Sequence, residues 1–527
     1  MNHLVRPSKA KSRARTLLPT LIAGLALSAP SCRIPELEGP LQGPSMPSSF
    51  SWFKRSVPDV PVVPPSPEEA GTATLNEASD IEQVGYTRLE MAADTYENSA
   101  LISWRDFFDD PNLLCLIEEA MVGNQELRIL NQDIQIAYNE VSARRGAILP
   151  FFTLGAGAGV DKPGLFTREG AVESQLDVKP GVAFPEPLPN FLVAANISWE
   201  IDIWRKLRNA RDAATLRYLG TCDGQAYMVT RLVSEVAEKY YELMSLDNQM
   251  QILDKTIEIQ EQSLELAKAR KAAGRDTELA VQRFQAEVRK NQSEKLIILQ
   301  QIVEAENRIN FLLGRYPQPV MRSTSSFLDL NLQPLCAGLP GQIMQNRPDV
   351  RQAEKELSAA GLDVKVARAR FYPSLIVNAG VGYNAFNAKY LFSTPDSLIY
   401  NVAGDLVAPV INRSAIQADY LTANAQQLQC VYNYQQVILN AYTEIVNRLS
   451  KVENYQASIE IKKQQLAALE ASVDSATKLF QNARAEYVEV LLAQRDMMEA
   501  RMVLIETKQQ QLAAAITAYQ ALGGGSF

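Results

Sequence analysis

Residues 191–203 read FLVAANISWEIDI, a segment in which apolar and polar side chains alternate. Successive side chains of a β-strand point to opposite faces of its sheet, so a period of two predicts a strand with one apolar and one polar face. The apolar face carries Phe191, Val193, Ala195, Ile197, Trp199, Ile201 and Ile203. The polar face carries Asn196, Ser198, Glu200 and Asp202.

Four glycine-rich segments are predicted as strands, in two pairs: 151–161 with 190–204, and 374–386 with 398–411. In the third segment, apolar Leu375, Val377 and Val381 alternate with Asn378, Gly380 and Gly382. Half-buried strands of a soluble sandwich would show a similar pattern. The length of these strands, next to very long helical stretches, favours a membrane β-barrel.

Two predicted helices, 205–272 and 413–482, each run for about 70 residues without an internal proline. At about 1.5 Å per residue, each would span on the order of 100 Å. Their apolar positions repeat by sevens, as in Val229, Val236 and Leu243. This heptad pattern predicts helices that pack along their length against parallel neighbours.

The order of elements occurs twice and predicts an internal duplication. In each half a helix is followed by a strand pair and then by two long helices. This first helix is 110–147 in the first half and 347–371 in the second. The long helices are divided near Gly274 in the first half and near Ala483 in the second. We therefore predict two repeats, 100–330 and 331–527, in a mainly α-helical chain with a transmembrane β portion.

Strands inside a lipid bilayer must pair all their backbone groups, so their sheet must close. Four strands cannot close a barrel, for which about eight is the practical minimum. Two copies would supply eight strands around a core filled by side chains, and three would supply twelve around a lumen. Inward polar residues suit water better than a packed core, which favours twelve; we expect Asn196, Glu200, Asp202 and Asp405 to line the lumen.

The N-terminus has the features of an export signal, residues 1–31. Five basic residues without an acid precede the apolar segment 17–27, and Ala29-Pro30-Ser31-Cys32 follows. A small residue before a cysteine predicts cleavage and lipidation at Cys32; ordinary cleavage nearby, leaving a thiol, is the alternative. Residues 32–99, rich in Pro, Ser and Gly over 33–75, are predicted to form an extended tether.

The composition argues against several functions. The single histidine, His3, lies in the predicted signal, so the mature chain lacks imidazole bases and ligands. An enzyme would need a converging pair of carboxylates, and no such pair, cofactor motif or phosphate-binding loop stands out. The mature chain carries 47 basic against 60 acidic residues, which disfavours nucleic acid as a partner.

Outside the signal no run of about 18 apolar residues predicts a membrane helix. The other cysteines match no metal motif, and we expect buried free thiols although export permits disulfides. They are Cys115, Cys222, Cys336 and Cys430.

Four short motifs give the chain a resemblance to the TolC-like outer-membrane efflux proteins, of the NodT/OprM lipoprotein type. They are WRDFFDDP (104–111), SWEIDIW (198–204), GLP (338–340) followed by RPDVR (347–351), and ALGGG (521–525). The resemblance extends from about residue 100 to the end of the chain.

This resemblance implies a homotrimer with a twelve-stranded barrel in the outer membrane and a helical barrel across the periplasm. Such proteins are passive ducts for small molecules, and their helix tips meet a periplasmic adaptor bound to an inner-membrane pump, here expected to be of the resistance-nodulation-division type. The tips would be Ala273-Gly274-Arg275 and Asn482-Ala483-Arg484. Ala483 stands where the family usually has glycine.

The resemblance also places a periplasmic gate just after the second tip. Val488 and Leu492 would form an apolar plug, Glu489 a carboxylate ring that selects cations, and Arg495 would follow on the same segment. Leu492 occupies the position of the usual aspartate. Glu489 as a solvated surface charge is the alternative.

Two other functions remain open at this point. The exit duct of a type I protein secretion system shares the fold, and a periplasmic coiled-coil structural or adaptor protein would share the heptads. The sequence determines neither the substrate nor the identity of pump and adaptor.

Overall fold

The computed structural model describes residues 51–55, 86–90, 99–274, 277–323, 327–336, 338, 340–409, 413–482, 484 and 486–525. The predicted signal 1–31, Cys32 and most of the tether 32–99 lie outside the described residues, as do Arg275 and Ala483 of the predicted tips.

In the described ranges the chain is mainly α-helical, with one four-stranded and two two-stranded sheets. Its strands are β1 (Ser51–Arg55), β2 (Tyr86–Glu90), β3 (Phe151–Asp161), β4 (Asp177–Lys179), β5 (Val182–Ala183), β6 (Leu188–Ile201), β7 (Ser374–Ala385) and β8 (Leu398–Val407). Its α-helices are α1 (Trp104–Phe107), α2 (Pro111–Gly123), α3 (Gln125–Gly146), α4 (Arg168–Glu173), α5 (Lys206–Ala272), α6 (Glu278–Leu312), α7 (Ile343–Asn346), α8 (Pro348–Ala369), α9 (Ser414–Gln481) and α10 (Tyr487–Leu522). Short 3₁₀ turns lie at Ser99–Leu101, Phe327–Asp329, Pro340–Gln342 and Ala388–Tyr390.

The sheet has the order β3-β6-β7-β8, with every neighbouring pair antiparallel. Residues opposite each other in a ladder share a face. Asn196 pairs with Gly380 and Ser198 with Asn378, whereas Ile197 pairs with Ala379 and Trp199 with Val377. The predicted alternation is therefore confirmed: one face of the sheet is polar and glycine-rich, and the other is apolar.

The strand predictions were too long at two ends. β6 stops at Ile201, not at residue 204, and β8 stops at Val407, not at 411. The side chain of Asp202 accepts hydrogen bonds from the backbone N–H groups of Leu207 (3.1 Å) and Arg208 (2.9 Å). A carboxylate in this position satisfies unpaired N–H donors in the first turn of α5, so Asp202 belongs to the helix start.

The two long helices are confirmed, at 67 residues for α5 and 68 for α9. The predicted helix 110–147 is instead broken into α2 and α3. Asn124 donates its side-chain amide to the carbonyl of Leu312 (2.8 Å) and accepts from the N–H of Leu127 (3.0 Å). Because Asn124 caps α3 and is hydrogen-bonded to α6, helix α2 ends before it.

The described residues form two compact units. The strand unit contains Ser142–Ala213 and Ala360–Gln429, and the helix unit contains Ala214–Ala359, Cys430 onward and the described residues before Ser142. Each unit draws residues from both predicted repeats. In the strand unit, Val364, Ala367, Tyr420 and Ala423 form a small apolar cluster.

The main core lies in the helix unit, and the WRDFFDDP motif is part of it. Asp110 caps α2 by accepting from the N–H of Asn112 (2.9 Å), and the same carboxylate group accepts from the hydroxyl of buried Tyr240 (2.6 Å). Phe107 stacks on Tyr519 of α10, with ring centroids 4.1 Å apart. The motif therefore joins the start of the first repeat to the end of the second.

The cysteine prediction was half right. No disulfide joins Cys115, Cys222, Cys336 or Cys430, all of which lie in the described ranges. None of them is buried, however, and Cys115 is exposed. On α2 the buried positions are Leu113, Leu116 and Ile117, so Cys115 falls on the solvent side of that helix.

Candidate functional site

The polar face of the sheet carries a row of hydrogen-bonded side chains across three strands. Ser198 donates to the amide oxygen of Asn378 (2.9 Å), and the amide of Asn378 donates to Asp405 (3.1 Å). Asn196 and Asp405 are exposed. A sheet face with such side chains can line water, because each polar group has a partner or solvent.

Glycine makes room for these side chains. A Cβ atom at Gly380 would lie 2.5 Å from the amide oxygen of Asn401 and 2.6 Å from that of Asn196. The two amides therefore meet over the glycine, on the face that the alternation assigns as polar.

The four residues predicted for the lumen differ in their surroundings. Asn196 and Asp405 lie on the exposed polar face, and Glu200 lies on the same face, paired with Lys206. Asp202 does not lie on the strand, and its carboxylate is only 4% exposed, under the first turn of α5. That placement argues against Asp202 as a lumen residue; for the other three the lumen role stays a prediction.

At the first predicted tip, the chain turns between α5 and α6. Gly274 has a φ of +72°, a conformation that glycine adopts without strain, and its N–H donates to the carbonyl of Lys271 (2.9 Å). Thr277 caps α6 by accepting from the N–H of Ala280 (3.4 Å). Lys271 also forms an ion pair with Glu278 across the turn.

At the second predicted tip, α9 ends at Gln481. The side chain of Asn482 donates to the carbonyl of Lys478 (2.8 Å), and the N–H of Arg484 donates to that of Leu479 (2.9 Å). Arg484 itself is exposed. These bonds satisfy carbonyls that the last turn of a helix otherwise leaves unpaired.

The residues predicted for the gate share one side of the first turns of α10. Val488, Glu489, Leu492 and Arg495 are spaced as neighbours on a helix surface. Glu489 is exposed, the Leu492 side chain is 44% exposed, and Arg495 pairs with Asp496 (3.2 Å). Val490 and Gln494 are buried on the opposite side.

The buried side of α10 packs on the neighbouring helices of the helix unit. Leu491 contacts a cluster formed by Leu264, Ala267, Val281 and Phe284. The first turns of α10 are thereby held on one side, and no described residue covers the other side, which carries Glu489 and Leu492.

Sequence reasoning missed the role of Arg347. Its guanidinium is only 5% exposed, pairs with Asp349 (2.8 Å) and Glu444 (3.1 Å), and donates to the carbonyl of Ala521 (2.7 Å). Burial opposes its charge, but the two carboxylates raise the pKa of Arg347 above its usual value. The RPDVR and ALGGG motifs are thus in direct contact, which their separation along the chain did not reveal.

Within the described ranges, no group of three or more His, Cys, Asp or Glu side chains could hold a metal ion. None of the helices in these ranges combines the length and hydrophobicity that crossing a membrane requires.

The chain is similar in sequence to a known protein family and to individual known proteins. A family model described as outer membrane efflux protein matches residues 116–315 and 339–524. The cation efflux system protein CusC of Escherichia coli O6:H1 is 29% identical over 434 residues, covering 82% of this chain and 90% of the relative. The pyoverdine export outer membrane protein OpmQ of Pseudomonas putida KT2440 is 28% identical, covering 80% and 88%.

A crystal structure of CusC superimposes with a TM-score of 0.73 at 26% identity, covering 82% of this chain and 96% of that one. Each matched segment of the family model falls inside one predicted repeat, 100–330 or 331–527. The repeat boundaries themselves stay a prediction.

Proposed function

Because this chain belongs to the outer membrane efflux protein family, we propose that it is the outer-membrane channel of a tripartite efflux system. Three copies close one barrel of twelve strands in the outer membrane and continue as a helical duct into the periplasm. The duct is passive and catalyses no reaction. An inner-membrane pump, of the resistance-nodulation-division type, supplies the energy through a periplasmic adaptor.

One observation carries this proposal: the four-stranded sheet has a polar face, an apolar face and two strands, β3 and β8, that each pair with only one other strand among the described residues. A sheet in lipid cannot leave strand edges unpaired, so the edges must pair with other copies. The apolar face then meets lipid, and the row Ser198-Asn378-Asp405 meets water. Asn196 and Glu200 belong to the same lumen wall.

The helix turns at Gly274 and Arg484 are the surface proposed to meet the adaptor. Both turns are closed by their own hydrogen bonds, which supports a preformed contact surface. Arg275 and Ala483 complete the two tips in the sequence.

The gate is proposed at the uncovered side of α10. Three copies of Glu489 form a ring of carboxylates that favours cations, and Leu492 with Val488 narrows the duct. Opening requires the paired helices to move apart, driven by the adaptor.

The cargo is proposed to be small molecules or metal ions. The matched relatives are described as exporting cations in one case and pyoverdine in the other, although each matches at least 80% of this chain. Selection by the pump and adaptor, with a permissive duct, accounts for that range.

Reconstitution of the purified full-length chain in planar bilayers tests the proposal. In a KCl gradient the wild type should conduct and prefer cations, and Glu489→Gln should lower the cation-to-anion permeability ratio by at least about twofold, because the carboxylate ring is neutralised. Glu506→Gln is the matched control, since this exposed carboxylate lies about 25 Å further along the same helix.

Absence of conductance in the wild type would overturn the channel assignment. Conductance with equal selectivity in wild type and Glu489→Gln would instead overturn only the gate assignment.

A further inference from the structure

A cleft of about 530 Å³ opens in the strand unit between the start of α5 and the end of α8. Arg205 lines it from one side, and Lys365 and Arg368 line it from the other. Lys365 and Arg368 are three residues apart on α8 and therefore share a helix face.

The charge of this cleft is unbalanced. Arg205, Lys365 and Arg368 are exposed, and within the described part of the chain none of their side chains forms an ion pair or a hydrogen bond. The one acid in the lining, Asp212, is bound to Arg211 at 2.6 Å. Three cations around one opening repel each other unless an anion lies between them.

Arg205 adopts a costly backbone conformation. Its φ of +58° makes it the one non-glycine residue with positive φ in the described ranges. Glycine would adopt this conformation without strain, whereas an L-residue with a Cβ atom is disfavoured there. An arginine at this point is best explained by a use for its guanidinium group.

An aromatic pair borders the cleft. Trp204 stacks on Tyr372 with ring centroids 4.7 Å apart, and its indole N–H donates to the carbonyl of Pro373 (2.8 Å). Trp204 follows the last residues of β6, and Tyr372 precedes the first residue of β7. The pair therefore marks the level at which the apolar face of the sheet ends.

We propose that this cleft binds the phosphate group of an anionic phospholipid in the periplasmic leaflet of the outer membrane. Tryptophan and tyrosine favour the boundary between hydrocarbon and water, and arginine and lysine at the same level attract anionic headgroups. The acyl chains then run along the apolar face of β6 and β7. This inference rests on the proposed function, because it requires the sheet to span the membrane.

The test is native mass spectrometry of the full-length protein, purified in a neutral detergent and titrated with phosphatidylglycerol or phosphatidylcholine. The wild type should bind phosphatidylglycerol at least about tenfold more tightly. R205Q/K365Q/R368Q should lose this preference, since each cation contributes roughly fivefold. R205K/K365R/R368K, which keeps the charges, should retain it.

A matched control removes three cations near the other ends of the strands, as K162Q/R168Q/K389Q, and should bind phosphatidylglycerol like the wild type. Equal binding of the two lipids by the wild type, or equal loss of preference in both triple variants, would overturn the proposal. The proposal would also be overturned if inorganic phosphate displaced bound phosphatidylglycerol as effectively as added phosphatidylglycerol does, because the ligand would then be a free ion.

A fourth contrary result is loss of the trimer in R205Q/K365Q/R368Q with unchanged lipid preference, which would make the cleft a contact between copies. Bilayer conductance of the same variants separates this inference from the proposed function. A wild-type protein that conducts but shows no preference for phosphatidylglycerol would contradict only the lipid site.

Discussion

Lys508 on α10 is a charged residue in an almost fully buried position. Its exposed fraction is 3%, and its ammonium group donates to the side-chain oxygens of Gln511 (3.0 Å) and Asn331 (3.4 Å). Burial lowers the pKa of Lys508, and the positive charge of Lys463 adds to this effect. The folded protein therefore releases this proton at a lower pH than the unfolded chain does.

This difference predicts a pH-dependent stability. Between the lowered folded pKa and the ordinary lysine pKa of about 10.4, the unfolded chain binds more protons at this site, so the free energy of unfolding should rise as the pH rises. Lys508→Met should remove this rise. Urea unfolding of the detergent-solubilised protein over alkaline pH measures the effect.

Lys290→Met provides the control, because the Lys290 side chain is 59% exposed and its substitution should leave the pH dependence unchanged. If Lys508→Met kept the wild-type rise, another group would be responsible for it.

At the scale of elements, strands β6 and β7 leave no room for a side chain at Gly382. A Cβ atom at Gly382 would lie 2.5 Å from the carbonyl oxygen of Val193 and 2.7 Å from the Cα of Ala194. Backbone atoms cannot move aside as the end of a side chain can. On β8, a Cβ atom at Gly404 would meet nothing within 4 Å.

Gly382→Ala is therefore expected to destabilise the protein by about 1–3 kcal/mol through overpacking. Gly404→Ala, the same chemical change in the same sheet, should leave stability unchanged. Thermal unfolding in detergent compares the two variants with the wild type. Equal melting temperatures for both variants would show that the ladder relaxes at Gly382.

At the scale of the whole molecule, the open edges of the sheet decide the assembly. Among the strands that the structure describes, β3 pairs only with β6, and β8 only with β7. Closure of a barrel requires β3 of one copy to pair with β8 of the next. The proposed trimer therefore places residues of these two strands close together across the boundary between copies.

Cysteine cross-linking checks this pairing. With the native cysteines replaced, Thr153→Cys should be combined in turn with Asn401→Cys, Ala403→Cys and Asp405→Cys, which all lie on the polar face. Oxidation in membranes should give covalent trimers on a denaturing gel for at least one combination, since paired strands lie about 5 Å apart.

Asn196→Cys with Asn378→Cys is the matched control, because these residues lie on the inner strands β6 and β7 and should not link separate copies. Monomers alone in every edge combination would contradict the trimeric barrel.

The amino-acid sequence by itself determined the two-faced strands, the two very long helices and the duplication. The strands and helices follow from periods of two and seven residues, which depend on near neighbours in the chain, and the duplication follows from the order of elements that occurs twice. The choice of Glu489 and Leu492 on α10 rested on the resemblance to the efflux proteins, not on periodicity.

Only the tertiary structure decided where these elements end and which distant residues meet. Asn124 ends the first part of the predicted helix because its side chain donates to the carbonyl of Leu312 on α6. Asp202 follows β6 and caps α5, and Arg347 donates to the carbonyl of Ala521. Each of these depends on a hydrogen-bond partner that local periodicity does not encode. The three cations likewise came together only when the start of α5 and the end of α8, far apart in sequence, lined one cleft.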